Sequence, residues 1–192
     1  MNAHIILDPF RAQTNETLEK ELETQGINGR IWPAIHDSNS VVKSINLSHK
    51  MIVAFAKAQN FPEICILEED VMFIAPDGWQ YFLANKPEKF HLYLGGCYGL
   101  NDEAYKRIAN TPGSTQINNF AGLHCYVIHE SYYDKFLSMP DDIHIDNQPG
   151  MGVFYVCSPM AALQHPGWSS NHKVKVDYNT SIPKECIYYG KG

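Results

Sequence analysis

The stretch Glu63-Ile64-Cys65-Ile66-Leu67-Glu68-Glu69-Asp70 is a short, unbroken apolar run that stops in three acids. A run of this kind reads as a strand buried on both faces, as found inside a parallel sheet. Ligands of open α/β sheets bind just outside the carboxyl ends of such strands. Three adjacent carboxylates repel one another, so the position calls for something positive in front of it. A divalent cation answers that need, because hard oxygen ligands suit Mg²⁺ or Mn²⁺. A solvated acidic turn is the plain alternative.

The neighbouring segments fit around a strand of this kind. Residues 4–7 read as a first strand and 14–25 as a helix, with Thr14 as cap, Gly26 at its stop and a narrow stripe of Leu18 and Leu22. Residues 30–35 read as a second strand near an edge, because Pro33 cannot donate to a ladder. A helix over 45–59 carries Leu47, Met51, Ala54, Phe55 and Ala58 at helical spacing, which marks that face as buried. Ser48 and His49 fall in its first turns and, taken alone, read as surface polar groups. The strand, helix, strand, helix, strand order predicts an α/β fold with a central, mostly parallel sheet flanked by helices, in a single domain over residues 1–192.

Further on, a strand over 91–94 runs into Gly95-Gly96-Cys97-Tyr98-Gly99, where small residues would let a ligand approach the backbone. Its spacing is neither a Rossmann fingerprint nor a P-loop. Residues 101–114 read as a mobile connection, 124–128 as a strand, 130–139 as a helix, and the chain from Gln164 as loop.

A net charge of -6 gives no global attraction to nucleic acid or an anionic bilayer. Residues 4–7 are too short an apolar run, without a basic leader, for a signal peptide. No apolar stretch approaches the roughly 18 residues of a membrane-spanning helix, which leaves only peripheral association open. The five cysteines contain no CxxC pair, which argues against structural zinc and fits a reducing, cytoplasmic setting.

Asn46-Leu47-Ser48-His49, a helix, and then Ile64-Cys65-Ile66-Leu67-Glu68-Glu69-Asp70-Val71 resembles the signature of family 25 glycosyltransferases. In these lipopolysaccharide-type sugar transferases, Leu-Ser-His is followed by Leu-Glu-Asp-Asp-Val. Ile6-Leu7-Asp8 with Arg11 is similar to the family's first strand, and His124-Cys125-Tyr126-Val127-Ile128 to its His-Ala-Tyr-Val-Ile strand. Asp146, and Pro159 followed by Gln164, fall where the family has an aspartate and a Pro-to-Gln strand. Glu69 stands where the family has Asp, which keeps the charge and lengthens the reach by a methylene.

The resemblance implies a GT-A fold, a nucleotide-sugar donor, and Mn²⁺ or Mg²⁺ held by Glu68-x-Asp70, with His165 as a late metal or phosphate contact. It implies a hexosyltransferase moving galactose or glucose from a UDP-sugar to a glycan hydroxyl, with inversion, as in lipopolysaccharide biosynthesis. Glycosyl transfer must neutralise a departing diphosphate, which a bound cation does as a Lewis acid. Asp70 would then be the metal ligand, while Glu68 or Glu69 orients the ribose, the sugar or a metal-bound water. Arg11, Ser48, His49 and Tyr93 belong to the donor side of this reading. Lys173 or Lys175 would also meet the diphosphate, although a solvated strand face explains both lysines equally well. Tyr93, Tyr98 and Trp168 could each stack on the donor or simply pack. Asp146 is the first candidate for the base that deprotonates the acceptor and Asp142 the second, a role supplying roughly 10² to 10⁴ in rate.

Two readings compete: a catalytically silent relative that binds a glycan or a partner protein, and a nucleotidyltransferase, which would release pyrophosphate instead of UDP. A serine hydrolase is disfavoured, since no Gly-x-Ser-x-Gly elbow is present.

Overall fold

Ile64 and Ile66 leave the strand Glu63–Glu68 on one face and Cys65 and Leu67 on the other, and all four are buried. Period-two alternation with both faces covered requires a layer on each side of the sheet. The computed structural model of the protein describes residues 1–8, 12–147, 152–169 and 174–190 and shows both layers.

The first half alternates as expected: β1 (Ala3–Leu7), α1 (Ala12–Gln25), β2 (Gly29–Pro33), α2 (Val41–Ala58) and β3 (Glu63–Glu68). After these come β4 (Val71–Phe73), α3 (Gly78–Ala84), β5 (Leu92–Leu94), α4 (Asp102–Asn110), β6 (Gly113–Ile117), β7 (Cys125–His129) and α5 (Tyr133–Leu137). The chain finishes with β8 (Phe154–Ser158), β9 (Ala162–Gln164), β10 (Gly167–Ser169) and β11 (Val174–Val176).

Seven strands form the central sheet in the order β2-β1-β3-β7-β5-β8-β6. β1 pairs parallel with β2 and β3, and β5 parallel with β8. β7 is antiparallel to both β3 and β5, and β6 is antiparallel to β8. Five strands therefore share one direction and two oppose it, so the sheet is mostly parallel within an α/β fold. Helix α2 covers one face through Ile52, Val53 and Ala56, while Leu18 of α1 and Trp79 and Phe82 of α3 cover the other. Because β2 and β3 flank β1 on opposite sides, the strand order reverses there, and α/β sheets place their ligands beyond the carboxyl ends of strands at such a point.

Some expectations hold and others shift. β2 lies at the sheet edge, and Gly26 ends α1 with φ of 63°, a left-handed value that glycine accepts without strain. The connection expected over 101–114 is instead α4 and the start of β6. Asn101 caps α4 by accepting the Ala104 N–H at 2.9 Å, and Ala104, Tyr105 and Ile108 make its buried stripe. The tail is not all loop either, since β10 and β11 pair antiparallel. Helix α2 starts earlier than expected, at Val41, with Ser40 Oγ accepting the Lys43 N–H at 3.1 Å.

The buried face of α2 also differs. Asn46, Ser48, His49, Lys50, Ile52, Val53 and Ala56 are buried, whereas Leu47, Met51 and Phe55 are half-buried and Ala54 and Ala58 exposed. Two stripes compete on this helix, and the mixed polar one wins because its polar groups find partners inside the protein. No helix among the described residues is long and apolar enough to cross a membrane.

Candidate active site

Glu68 ends β3 on the α2 face, and the turn Glu69-Asp70 follows before β4. His49 of α2 meets it: His49 Nε2 lies 2.9 Å from Glu68 Oε1, and its Nδ1 lies 2.9 Å from the Tyr126 hydroxyl of β7. A carboxylate only accepts, so Nε2 carries the proton toward Glu68 and Nδ1 accepts from Tyr126. Burial pushes the Tyr126 phenol well up, which keeps its proton in place for that role.

Asp70 is fixed from the other side by β9. Gln164 Nε2 donates to Asp70 Oδ2 at 2.7 Å, and the His165 backbone N–H donates to the Asp70 carbonyl at 2.7 Å. Asn179 Nδ2 in turn donates to the Gln164 carbonyl at 2.7 Å.

Asp146 arrives from a distant segment, where its Oδ2 accepts the Gly122 N–H at 2.8 Å. Tyr98 sits beside this Gly122, and its phenol is pushed up by burial first, then by surrounding groups that include Asp146, Glu68 and Asp70. Its ring stacks on Tyr178 with centroids 4.6 Å apart, and it packs against Gly122, where an added Cβ would come within 2.7 Å of the ring. Gly122 also has φ of 94°, so this position is closed to other residues twice over. Behind Glu68, the buried His124 has Nε2 3.3 Å from the Ala162 carbonyl, and burial lowers its pKa against the opposing pull of Glu68.

Several residues expected at the donor are committed elsewhere. Tyr93 is fully buried; it stacks on Phe82 at 4.7 Å and donates its hydroxyl proton to the Phe82 carbonyl at 3.0 Å. Alternation along β5 sends Leu92 and Leu94 to the α2 layer and Tyr93 to the α3 layer, away from any ligand. Ser48 is buried too, accepting the Ile35 N–H and donating to the Ser44 carbonyl, each at 2.8 Å. It stitches α2 to the segment after β2. His49, 1% exposed, acts on Glu68 and not on a ligand. Glu69 is largely buried, 7% exposed.

Glu68, Asp70 and His165 do not make a three-ligand metal site. Among the described residues, no group of three or more His, Cys, Asp or Glu side chains is placed to hold a metal ion. The His165 ring is half-buried with its Nε2 enclosed and lacking a hydrogen-bond partner among the described residues, and burial lowers its pKa. Two carboxylates without a third ligand still fit Mg²⁺ or Mn²⁺, which such sites hold together with substrate phosphates and water and without an all-protein cage. Asp142 is exposed and is not among the charges acting on Tyr98. Arg11, Lys173 and the side chain of Trp168 lie outside the described residues. Lys175 is exposed on β11.

The small residues at 95 and 96 also serve a different end. A Cβ on Gly96 would lie 1.9 Å from the Ala162 carbonyl, and one on Gly95 would lie 2.6 Å from Cys125 Sγ. They admit the neighbouring chain, whose Ala161 and Ala162 N–H groups donate to the Gly95 carbonyl.

Sequence reasoning missed Tyr98's central place and Asn46, Lys50, Tyr126 and Gln164 as partners. Asn46, His49, Lys50 and Val53 recur at the i, i+3, i+4, i+7 spacing of one helix face, and that was the available signal.

Neither a family model nor a curated protein sequence matches the chain. Among solved structures, it is similar to a glycosyltransferase involved in glycosylation of the major capsid of PBCV-1, at 12% identity and TM-score 0.40, over 71% of this chain. The chain spans 63% of that protein's length. It is also similar to HddC from Yersinia pseudotuberculosis in complex with GMP-PN, at 12% identity and TM-score 0.45, over 97% of this chain and 96% of that one. A third is Drosophila β-1,4-galactosyltransferase 7, solved with manganese, UDP-Gal and xylobiose, at 12% identity and TM-score 0.44, over 91% of this chain and 74% of that one. Likeness at this level says nothing about chemistry, which must come from the residues.

Proposed function

We propose that the protein is a GT-A-like, metal-dependent glycosyltransferase that moves a hexose, galactose or glucose, from a UDP-sugar to a glycan hydroxyl with inversion. The observation that carries this reading is that Asp146 accepts the Gly122 N–H beside Tyr98, two residues before His124, whose carbonyl accepts the Glu68 N–H at the carboxyl end of β3. Acids from two distant segments gather where α/β sheets place their ligands.

In this reading Asp70 and Glu68 hold Mn²⁺ or Mg²⁺ jointly with the donor diphosphate. When bound, the cation neutralises the charge that develops on the leaving group. Asp146 takes the proton of the acceptor hydroxyl: one of its oxygens is oriented by the Gly122 N–H, which leaves the other to act as base. His49 and Tyr126 hold Glu68 in place, and Gln164 does the same for Asp70. The half-buried Tyr98, stacked on Tyr178, would offer the sugar or base an aromatic surface.

Incubation with UDP-sugars, Mn²⁺ and glycan acceptors tests the proposal. Release of UDP that stops in Asp70→Asn agrees with it. Pyrophosphate release would point to nucleotidyl transfer instead, and sugar binding unaffected by Asp70→Asn to a silent binding protein.

A further inference from the structure

Glu68 and Asp146 come from segments far apart in sequence, yet both must be held in register for one reaction. Helix α2 touches both sides. His49 bonds Glu68 directly. One turn earlier, Asn46 Nδ2 donates to the carbonyls of Asp141 at 2.9 Å and Ile143 at 2.7 Å, while its Oδ1 accepts the Ile145 N–H at 3.1 Å. Lys50, on the same face and 9% exposed, donates to the Met139 carbonyl and pairs with Asp141. Asp146 is the next residue after Ile145.

The segment 139–144 has no regular secondary structure, so its carbonyls have no ladder partners. Asn46 and Lys50 supply partners to the carbonyls of Met139, Asp141 and Ile143. Burying an amide and an ammonium on a helix is costly unless each is fully partnered. Packing alone would be served better by apolar residues beside Val53.

We infer that the inward face of α2 is the positioning frame of the site, with His49 setting Glu68 and Asn46 and Lys50 setting Asp146 through the backbone of 139–145. None of the three touches substrate in this account; they are positioning residues. The geometric half stands on the contacts alone, and its consequence for turnover rests on the transferase reading.

The Gly122 amide reports the placement of Asp146, because it donates to that carboxylate. Amide exchange followed by NMR should show Gly122 and Ile145 exchanging roughly three- to tenfold faster in Asn46→Leu and Lys50→Met. Lys50→Arg should restore protection. The Glu68 amide, bonded to the His124 carbonyl at 2.9 Å, should not change. If Asn46→Leu fails to fold, Asp141→Asn loosens the same clamp from its more exposed partner and should move the same amides. Unchanged exchange at Gly122, or equal acceleration throughout β3 and β7, would overturn the frame.

Binding and turnover then divide the frame's two halves. His49→Gln should weaken Mn²⁺-dependent UDP binding, whereas Lys50→Met should spare that binding and lower kcat. Equal loss of binding in both variants would overturn the division. A loosened Gly122 in a protein that never responds to UDP with Mn²⁺ would uphold the frame and sink the transferase reading.

Discussion

The two ends of β3 solve the burial of polar groups in different ways. At the amino end, Arg30 lies over the Trp32 ring at 4.1 Å and the Phe55 ring at 5.0 Å, and Trp32 Nε1 donates to His4 Nδ1 at 3.0 Å. Rings do most of the work there, around a cleft of about 460 Å³ that Arg30, Phe55 and Phe61 help to line. At the carboxyl end, Glu68 is held by a directed bond from His49 of α2, itself bonded to Tyr126 of β7, and Asp70 by one from Gln164 of β9. Stacked rings tolerate small shifts, but a hydrogen-bonded acid loses its orientation when one partner goes. The difference marks the carboxyl end as the place where geometry matters for chemistry and the amino end as packing.

The largest expected effect lies at the acid end. Asp146→Asn should lower transfer by roughly 10² to 10⁴ while leaving the fold intact, and Arg30→Ala should leave turnover unchanged. Equal losses in steady-state assays would erase the contrast between the ends. Next comes Gly96→Ala, which drives a methyl group into the Ala162 carbonyl and should cost about 1–3 kcal/mol in urea melts. Wild-type stability in that variant would mean that β9 is not wedged against the Gly95-Gly96 turn.

A pH effect should sharpen the view of the amino end. Burial, and then the Arg30 charge, lower the His4 pKa below its ordinary 6.5. Between the two values the unfolded chain binds a proton that the folded one refuses, so stability rises with pH through this window. It is fully present above 6.5 and lost as pH falls toward the folded value. His124 and His165 have lowered values as well and should add to the slope. His4→Gln should flatten part of the slope in urea midpoints measured across the window, and an unchanged slope would assign it to the other histidines. Smallest of all, Arg30→Ala should cost about 0.5–1 kcal/mol, the usual worth of a cation–π contact near the surface.

Much of the first half of the fold was legible. The apolar run 64–67, the edge-marking Pro33 and the helix-stopping Gly26 each act through local chemistry that needs no knowledge of distant residues. The orientation of α2 was not legible, because Leu47, Met51 and Phe55 make the more apolar stripe. What buries Asn46, His49 and Lys50 is a set of partners up to 99 residues away, invisible to any local window. Tyr93 misled for a related reason: the parity of a three-residue strand decides whether a tyrosine meets a ligand or the core. Helix α4 was missed because its stripe of Ala104, Tyr105 and Ile108 is short and lies among polar residues. The acids themselves stood out, but their convergence with Asp146 depends on β7 lying between β3 and β5, a pairing no local pattern announces.

The most direct test of the account is the thermal shift of the protein with UDP and Mn²⁺, together and singly. The account predicts a rise in melting temperature that requires both and disappears in Asp70→Asn; no response to any nucleoside diphosphate with a divalent cation would contradict it.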